Sequence, residues 1–129
     1  KNLDINVEFN NINQLKKDEK NDIEIACHIL NIEDRGSLDN ILKTIAKGKS
    51  EYADCLESWK KCLEEKGEKV SDTIFTKFWV NNYLRFDTCD KEEQKKSSKK
   101  CNFEKALEKD FWDFEHKSLK SLKFFLKMF

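Results

Sequence analysis

Between Ser37 and Lys47 the apolar residues Leu38, Ile41, Leu42, Ile45 and Ala46 fall at the i, i+3, i+4, i+7 and i+8 positions of one helical stripe. Ser37 supplies a cap at its start and Gly48 a stop at its end. A second helix is predicted from Glu51 to Lys66, where Tyr52, Cys55, Leu56, Trp59, Cys62 and Leu63 share a face and Gly67 ends the run. A third opens at Ser71 or Asp72 and carries an aromatic stripe, Phe75, Trp79, Tyr83 and Phe86, backed by Ile74, Phe78 and Leu84. From Asn102 to Met128 the pattern predicts one long amphipathic helix, roughly 40 Å from end to end, with Phe103, Leu107, Phe111, Phe114, Leu122, Phe125 and Phe129 near one face.

The remaining stretches are less regular. In Lys1–Lys20 a helical spacing (Ile5, Phe9, Ile12, Leu15) competes with an alternating one (Leu3, Ile5, Val7, Phe9). The reading favours a short helix followed by a polar turn at Lys16–Asn21. Asp22–Ile32 is apolar nearly all round and is expected in the interior, ended by Gly36. Residues 87–101 form a polar loop whose one apolar side chain before its end is Cys89. The expected fold is all-α: one domain over residues 1–129, with 1–20 poorly defined, built as a compact disulfide-linked bundle of about five to six helices with a long C-terminal helix.

Composition narrows the function classes. The chain has no proline and three glycines, and its 25 basic side chains balance 25 acidic ones. Nucleic-acid binding needs clustered Lys and Arg to displace counterions, and here the charges are interleaved, so no nucleic-acid partner is expected. No stretch approaches the roughly 20 apolar residues of a membrane span. The start at Lys1 fits a mature secreted protein. There is no HExxH, GxSxG or phosphate-cradling glycine loop, and no paired carboxylates in an apolar setting. Adjacent helical residues such as Cys27 and His28 point about 100° apart, poor geometry for proton transfer. The expectation is no enzyme, no catalytic residues, no cofactor and no metal, since His28 and His116 lie far from any ligand-like spacing.

Five cysteines without a CxxC favour disulfides over zinc or reduced thiols. All five, Cys27, Cys55, Cys62, Cys89 and Cys101, are candidates. Helices turning back at Gly67–Asp72 would set Cys55 level with Cys89, leaving Cys101 to reach Cys62 or Cys27. A local Cys89–Cys101 bridge is the alternative. Three other sets have a functional and a plain reading. Lys91, Lys95, Lys96, Lys99 and Lys100 are either a partner-binding surface or a solvated run. Phe75, Trp79, Tyr83, Phe111 and Trp112 either line a ligand cavity or fill the core. The dense apolar end Lys123–Phe129 either docks on the core or stands out as an anchor for a partner or a membrane surface.

The stretch from Leu38 to Cys55, followed by Leu84-Arg85-Phe86-Asp87-Thr88-Cys89 and the step to Cys101, resembles the C-terminal helical domain of the salivary thirty-kilodalton antigens of mosquitoes and black flies, the aegyptin-like proteins, and their small anopheline relatives. The likeness runs from about Leu38 to Leu107. The family's last cysteine has no counterpart, and Cys27 and Cys62 are additional. The resemblance implies a secreted, extracellular, disulfide-bonded salivary protein of a blood-feeding insect that binds a host protein, a complement component or collagen, and inhibits host defence; a monomer is expected. Two other readings stand beside it. A small-ligand carrier like the odorant-binding and D7 proteins would be helical and disulfide-bonded too, although Cys55 and Cys62 do not match their C-x3-C pair. An intracellular or exported interaction module of a parasite would explain the Lys/Asn/Ile bias.

Overall fold

The structure, a computed structural model, describes residues 7–8, 11–31, 36–96 and 103–129. These are mostly helical. In chain order they form strands β1 (Lys16–Asp18) and β2 (Ile23–Ile25), then helices α1 (Leu38–Ile45), α2 (Glu51–Glu65) and α3 (Asp72–Asn82). A π-helical turn, Tyr83–Asp87, continues α3, and α4 (Lys91–Lys96), α5 (Phe103–Glu108), a 3-10 turn (Lys117–Leu119) and α6 (Lys120–Leu126) follow.

Helices α1 and α3 begin at capping serines, and α2 ends at a glycine. Ser37 accepts from the Asn40 N–H at 3.2 Å and Ser71 from the Ile74 N–H at 3.4 Å, so each serine satisfies an amide that its helix cannot. At the end of α2, Gly67 takes a φ of +82°, which only glycine adopts without strain. The Glu68 and Gly67 amides can then turn back onto the Leu63 and Glu64 carbonyls, both at 3.0 Å.

The core lies where α1, α3 and the C-terminal segment meet. Ile41, Leu42 and Ile45 of α1 pack with Phe75, Trp79 and Val80 of α3, with Tyr83 and Leu84 of the π-turn, and with Ala106, Trp112 and Leu119. The ammonium groups of Lys43 and Lys60 both sit over the Phe75 ring, 4.7 and 5.0 Å from its centre, as cation–π contacts at the edge of the core.

Three expectations are corrected. Where a polar turn at Lys16–Asn21 and an interior segment from Asp22 were expected, the chain forms a hairpin, with Lys16, Lys17 and Asp18 pairing antiparallel with Ile25, Glu24 and Ile23, while the short helix expected before Lys16 lies largely outside the described residues. Asp18 makes the turn by accepting from the Lys20 amide at 3.0 Å and the Asn21 side chain at 2.8 Å, and the Asn21 amide holds its carboxyl below the usual range. Side-chain alternation in Ile23-Glu24-Ile25 decides for strand, and beyond it Cys27 and Ile29 are exposed rather than interior.

The long C-terminal helix is broken. After α5 the chain extends so that Ala46 and Trp112 pair as a bridge, with the Lys47 amide on the Phe111 carbonyl at 3.0 Å and the Asp113 amide on the Ile45 carbonyl at 2.6 Å. The Ile45 carbonyl at the end of α1, which has no partner within that helix, gains one this way, and Trp112 enters the core. Within the polar stretch, Asp90 and Glu93 cap α4 reciprocally, each side chain accepting from the other's amide.

The Cys55–Cys89 pairing is corrected as well. No two described cysteines are joined, because Cys27, Cys55 and Cys62 are free and exposed. A Cys55–Cys89 bridge is therefore excluded: α2 is rotated so that Cys55 faces solvent, whereas Cys89 is buried at the end of the π-turn. Cys89 is disulfide-bonded, and its partner is not among the described residues, as Cys101 is not.

Candidate interaction surface

Two polar contacts set the rotation of α2. Asp87, at the end of the π-turn, accepts from the Tyr52 amide at 3.0 Å and the Ala53 amide at 2.9 Å and so caps α2 from another element. Asp54 accepts from the Trp79 indole N–H at 3.0 Å. Ala53 consequently faces inward and is fully buried, while the residues on the far side of α2 point out.

Burial, the largest influence, holds the Asp87 carboxyl above the usual carboxylate range despite its two N–H bonds, and the Asp54 and Glu51 carboxylates push the same way. A raised folded value means that the carboxyl's contribution is full below the unfolded value near 3.8 and declines as pH rises through the folded value. Asp87→Ala is expected to destabilise by about 1–2 kcal/mol as a lost cap. Denaturant titrations should show a larger penalty at pH 3.5 than at pH 6; an equal or reversed difference would contradict the assigned shift.

One flank of α2 carries exposed aromatic side chains. Tyr52 stacks on Phe86 with ring centres 5.4 Å apart, and Trp59 packs against Phe78 at 5.7 Å. Tyr52, Trp59, Phe78 and the neighbouring Ile74 are all exposed. At about 100° per residue, Cys55 and Cys62 lie roughly 160–180° around the helix from Ala53 and so project straight away from the core. Of the stripe read from sequence on α2, Tyr52, Cys55, Trp59 and Cys62 face solvent, while Leu56 and Leu63 are half-buried and Leu56 packs against the core.

A second exposed apolar group lies at the C-terminal end. Phe124, Leu126 and Phe129 are 67%, 59% and 71% exposed, among Lys120, Lys123 and Lys127. Phe125 anchors this end by stacking on His28 at 5.0 Å and meeting Phe129 edge-on at 5.6 Å.

The aromatic set proposed for a cavity is brought together, but around one another. Trp79 stacks on Tyr83 at 5.0 Å and Trp112 meets Tyr83 edge-on at 5.4 Å, with Phe75 buried alongside and Phe111 half-buried. Their polar tips are satisfied within the protein. The Trp112 indole donates to the Ala106 carbonyl at 2.7 Å, and the Tyr83 hydroxyl donates to the Phe111 carbonyl and accepts from the Gly48 amide, both at 3.2 Å. Burial pushes the Tyr83 phenol up. The two clefts described, of about 700 and 480 Å³, are open and lie at the α2–α3 turn and beside Gly36 and Ser37, lined by none of these five residues.

Of the lysines in the polar stretch, Lys91 and Lys95 are exposed, Lys95 pairs with Glu92 at 3.0 Å, Lys96 lies in α4, and Lys99 and Lys100 are outside the described residues. Lys109 donates to Glu93 at 2.6 Å and to the Thr88 carbonyl at 2.8 Å, and its hydrogen bond holds the Glu93 carboxyl below the usual range. What is described here is a mixed-charge surface. Among the described residues no group of His, Cys, Asp and Glu is placed to hold a metal ion, and no helix is long and apolar enough to cross a membrane.

The fold and site define a mostly helical module with a filled aromatic core and two exposed apolar surfaces. Comparison with protein families, curated proteins and solved structures finds no match. The resemblance to the salivary antigens therefore rests on the sequence stretches alone.

Proposed function

We propose that this chain is a secreted salivary effector of a blood-feeding insect that binds a host macromolecule, a complement component or collagen, through its exterior and thereby inhibits host defence. The observation that carries the surface-binding part is the contrast between interior and exterior. The rings that a carrier would arrange around a ligand pack on one another with their polar tips bonded, while Phe124, Leu126 and Phe129 stand exposed among lysines at the C-terminal end. The choice of host partner rests on the resemblance. In the same reading, Cys89 pairs with Cys101 and closes the polar stretch between them, a link that would contribute about 3 kcal/mol by restricting the unfolded chain.

The C-terminal group is the host-facing surface in this proposal, ahead of the lysine run, because large apolar side chains contribute most where they are desolvated at a contact centre. Complement-mediated lysis and collagen-induced platelet aggregation should be measured side by side. Wild-type protein should inhibit one of them. The double variant Phe124→Ser, Phe129→Ser should lose roughly tenfold or more in potency while its unfolding midpoint stays put, since losing one hot-spot side chain costs about 2 kcal/mol or more. Inhibition of neither pathway would remove the host-defence reading, and full potency in the double variant would remove the C-terminal surface.

A further inference from the structure

The outward face of α2 has a spacing that is its own complement. Cys55 and Cys62 are free and exposed, two helical turns apart, with Glu51 four residues before the first and Lys66 four residues after the second. At about 100° per residue these four positions fall within roughly 60° of arc. When two copies of α2 lie antiparallel about a two-fold axis passing between Ser58 and Trp59, Cys55 of one copy is level with Cys62 of the other, and Glu51 is level with Lys66 of the other. Each relation occurs twice, as an isologous contact requires.

We propose that the α2 face docks a second copy of this chain in this antiparallel arrangement, and that two Cys55–Cys62 disulfides between the copies close it. The sequence reading expected a monomer; the outward face argues for a pair. Opposite charges meet at both ends of the contact, and the exposed Trp59 of each copy comes near the axis, where it is covered together with its neighbour Phe78. A contact one helix wide and roughly 22 Å long is small beside the ~1,600 Å² of a standard interface, so the unlinked pair is weak and the covalent links make it lasting. Within one chain the two thiols cannot meet, because seven residues of helix separate them by roughly 10 Å along the axis, beyond the Cα spacing that a disulfide spans.

The chemistry needs a low-molecular-weight disulfide as oxidant. A Cys55 thiolate attacks it and releases one small thiol, and the partner's Cys62 thiolate then attacks the Cys55 sulfur of the mixed disulfide and releases the second. For each bridge, two protein thiols are oxidised and one small disulfide is reduced to two thiols, which keep the two protons. The inference leans on the secreted reading for the oxidant in life, but the experiment supplies the oxidant. Failure to dimerise therefore leaves host binding standing, and absence of host inhibition leaves the dimer standing.

The test uses the full chain with Cys27→Ser, which removes the third exposed thiol, incubated with glutathione disulfide and analysed by non-reducing light scattering, intact mass and peptide mapping. The expected product is a dimer that reductant returns to monomer, yielding a Cys55–Cys62 linked peptide that carries both isotopes when labelled and unlabelled chains are mixed. Cys55→Ser alone and Cys62→Ser alone should each stay monomeric, whereas an equal mixture of the two should form a singly linked pair. Glu51→Lys should slow cross-linking by roughly two- to fivefold, as expected of an exposed charge pair, and adding Lys66→Glu should restore the rate. The proposal is overturned if each thiol ends capped by glutathione on a monomer, if either single variant dimerises as readily as the mixture, or if links between like cysteines dominate.

Discussion

Trp112→Ala is expected to destabilise the protein by about 3–5 kcal/mol, the cost of truncating a buried aromatic, out of the 5–15 kcal/mol that a domain usually has. Trp112 is 2% exposed and is the side chain that the extended turn after α5 delivers into the core. Its removal empties the space edge-on to Tyr83 and leaves the Ala106 carbonyl without its indole donor. The unfolding midpoint should fall by roughly 10–20 °C. Trp112→Phe keeps most of the bulk but loses the hydrogen bond, and should cost about 1–3 kcal/mol. Should Trp112→Ala cost less than about 1 kcal/mol, the bridge between Ala46 and Trp112 would not be holding the C-terminal segment in place.

Gly48→Ala should destabilise by about 2–3 kcal/mol although it adds a single methyl group, because overpacking a filled site forces neighbours off their minima. A Cβ on Gly48 would lie 2.9 Å from the Tyr83 hydroxyl and closer still to Cδ1 of Phe111. Neither neighbour can swing away freely. Tyr83 is fully buried and held by its bonds to the Gly48 amide and the Phe111 carbonyl, and the Phe111 backbone is pinned by the Lys47 amide. Tyr83→Phe, which removes the hydroxyl but adds no crowding, should cost less, about 1 kcal/mol. Denaturant unfolding of the two variants separates crowding from the lost hydrogen bonds, and a neutral Gly48→Ala would show that the close approach is not there.

Helices α1 to α3 were legible because their signals are local. The capping serines, the left-handed Gly67 and the spacing of Ile41, Leu42 and Ile45 act within a few residues of one another, and nothing distant contradicts them. The hairpin was less legible, since three-residue strands offer too short a run for period two to outweigh the apolar content around Ile25. Asn102 to Met128 read as one helix because its apolar residues keep helical spacing across the break. That break depends on a pairing with residues 45–47, about 65 positions earlier in the chain, which no local pattern contains.

For the candidate site, the residue types were visible and their direction was not. Tyr52, Cys55, Trp59 and Cys62 form the stripe on α2 that hydrophobicity alone would bury. Asp87 and Trp79, from other elements, hold the helix with Ala53 inward instead, and the Lys60 ammonium sits over the Phe75 ring where an apolar residue would be looked for. The aromatic set was recognised as core or cavity, and the hydrogen bonds of Tyr83 and Trp112 settle its packing.

By itself the sequence determined which segments become helices α1 to α3, where α1 and α3 start and where α2 stops, since capping, glycine conformation and apolar periodicity are short-range effects. The tertiary structure alone decided which face of α2 meets water, where the C-terminal segment turns, and that Cys55 stands apart from Cys89. Those outcomes depend on hydrogen bonds and packing between residues far apart in the chain, whose free energies exist only once the elements have come together.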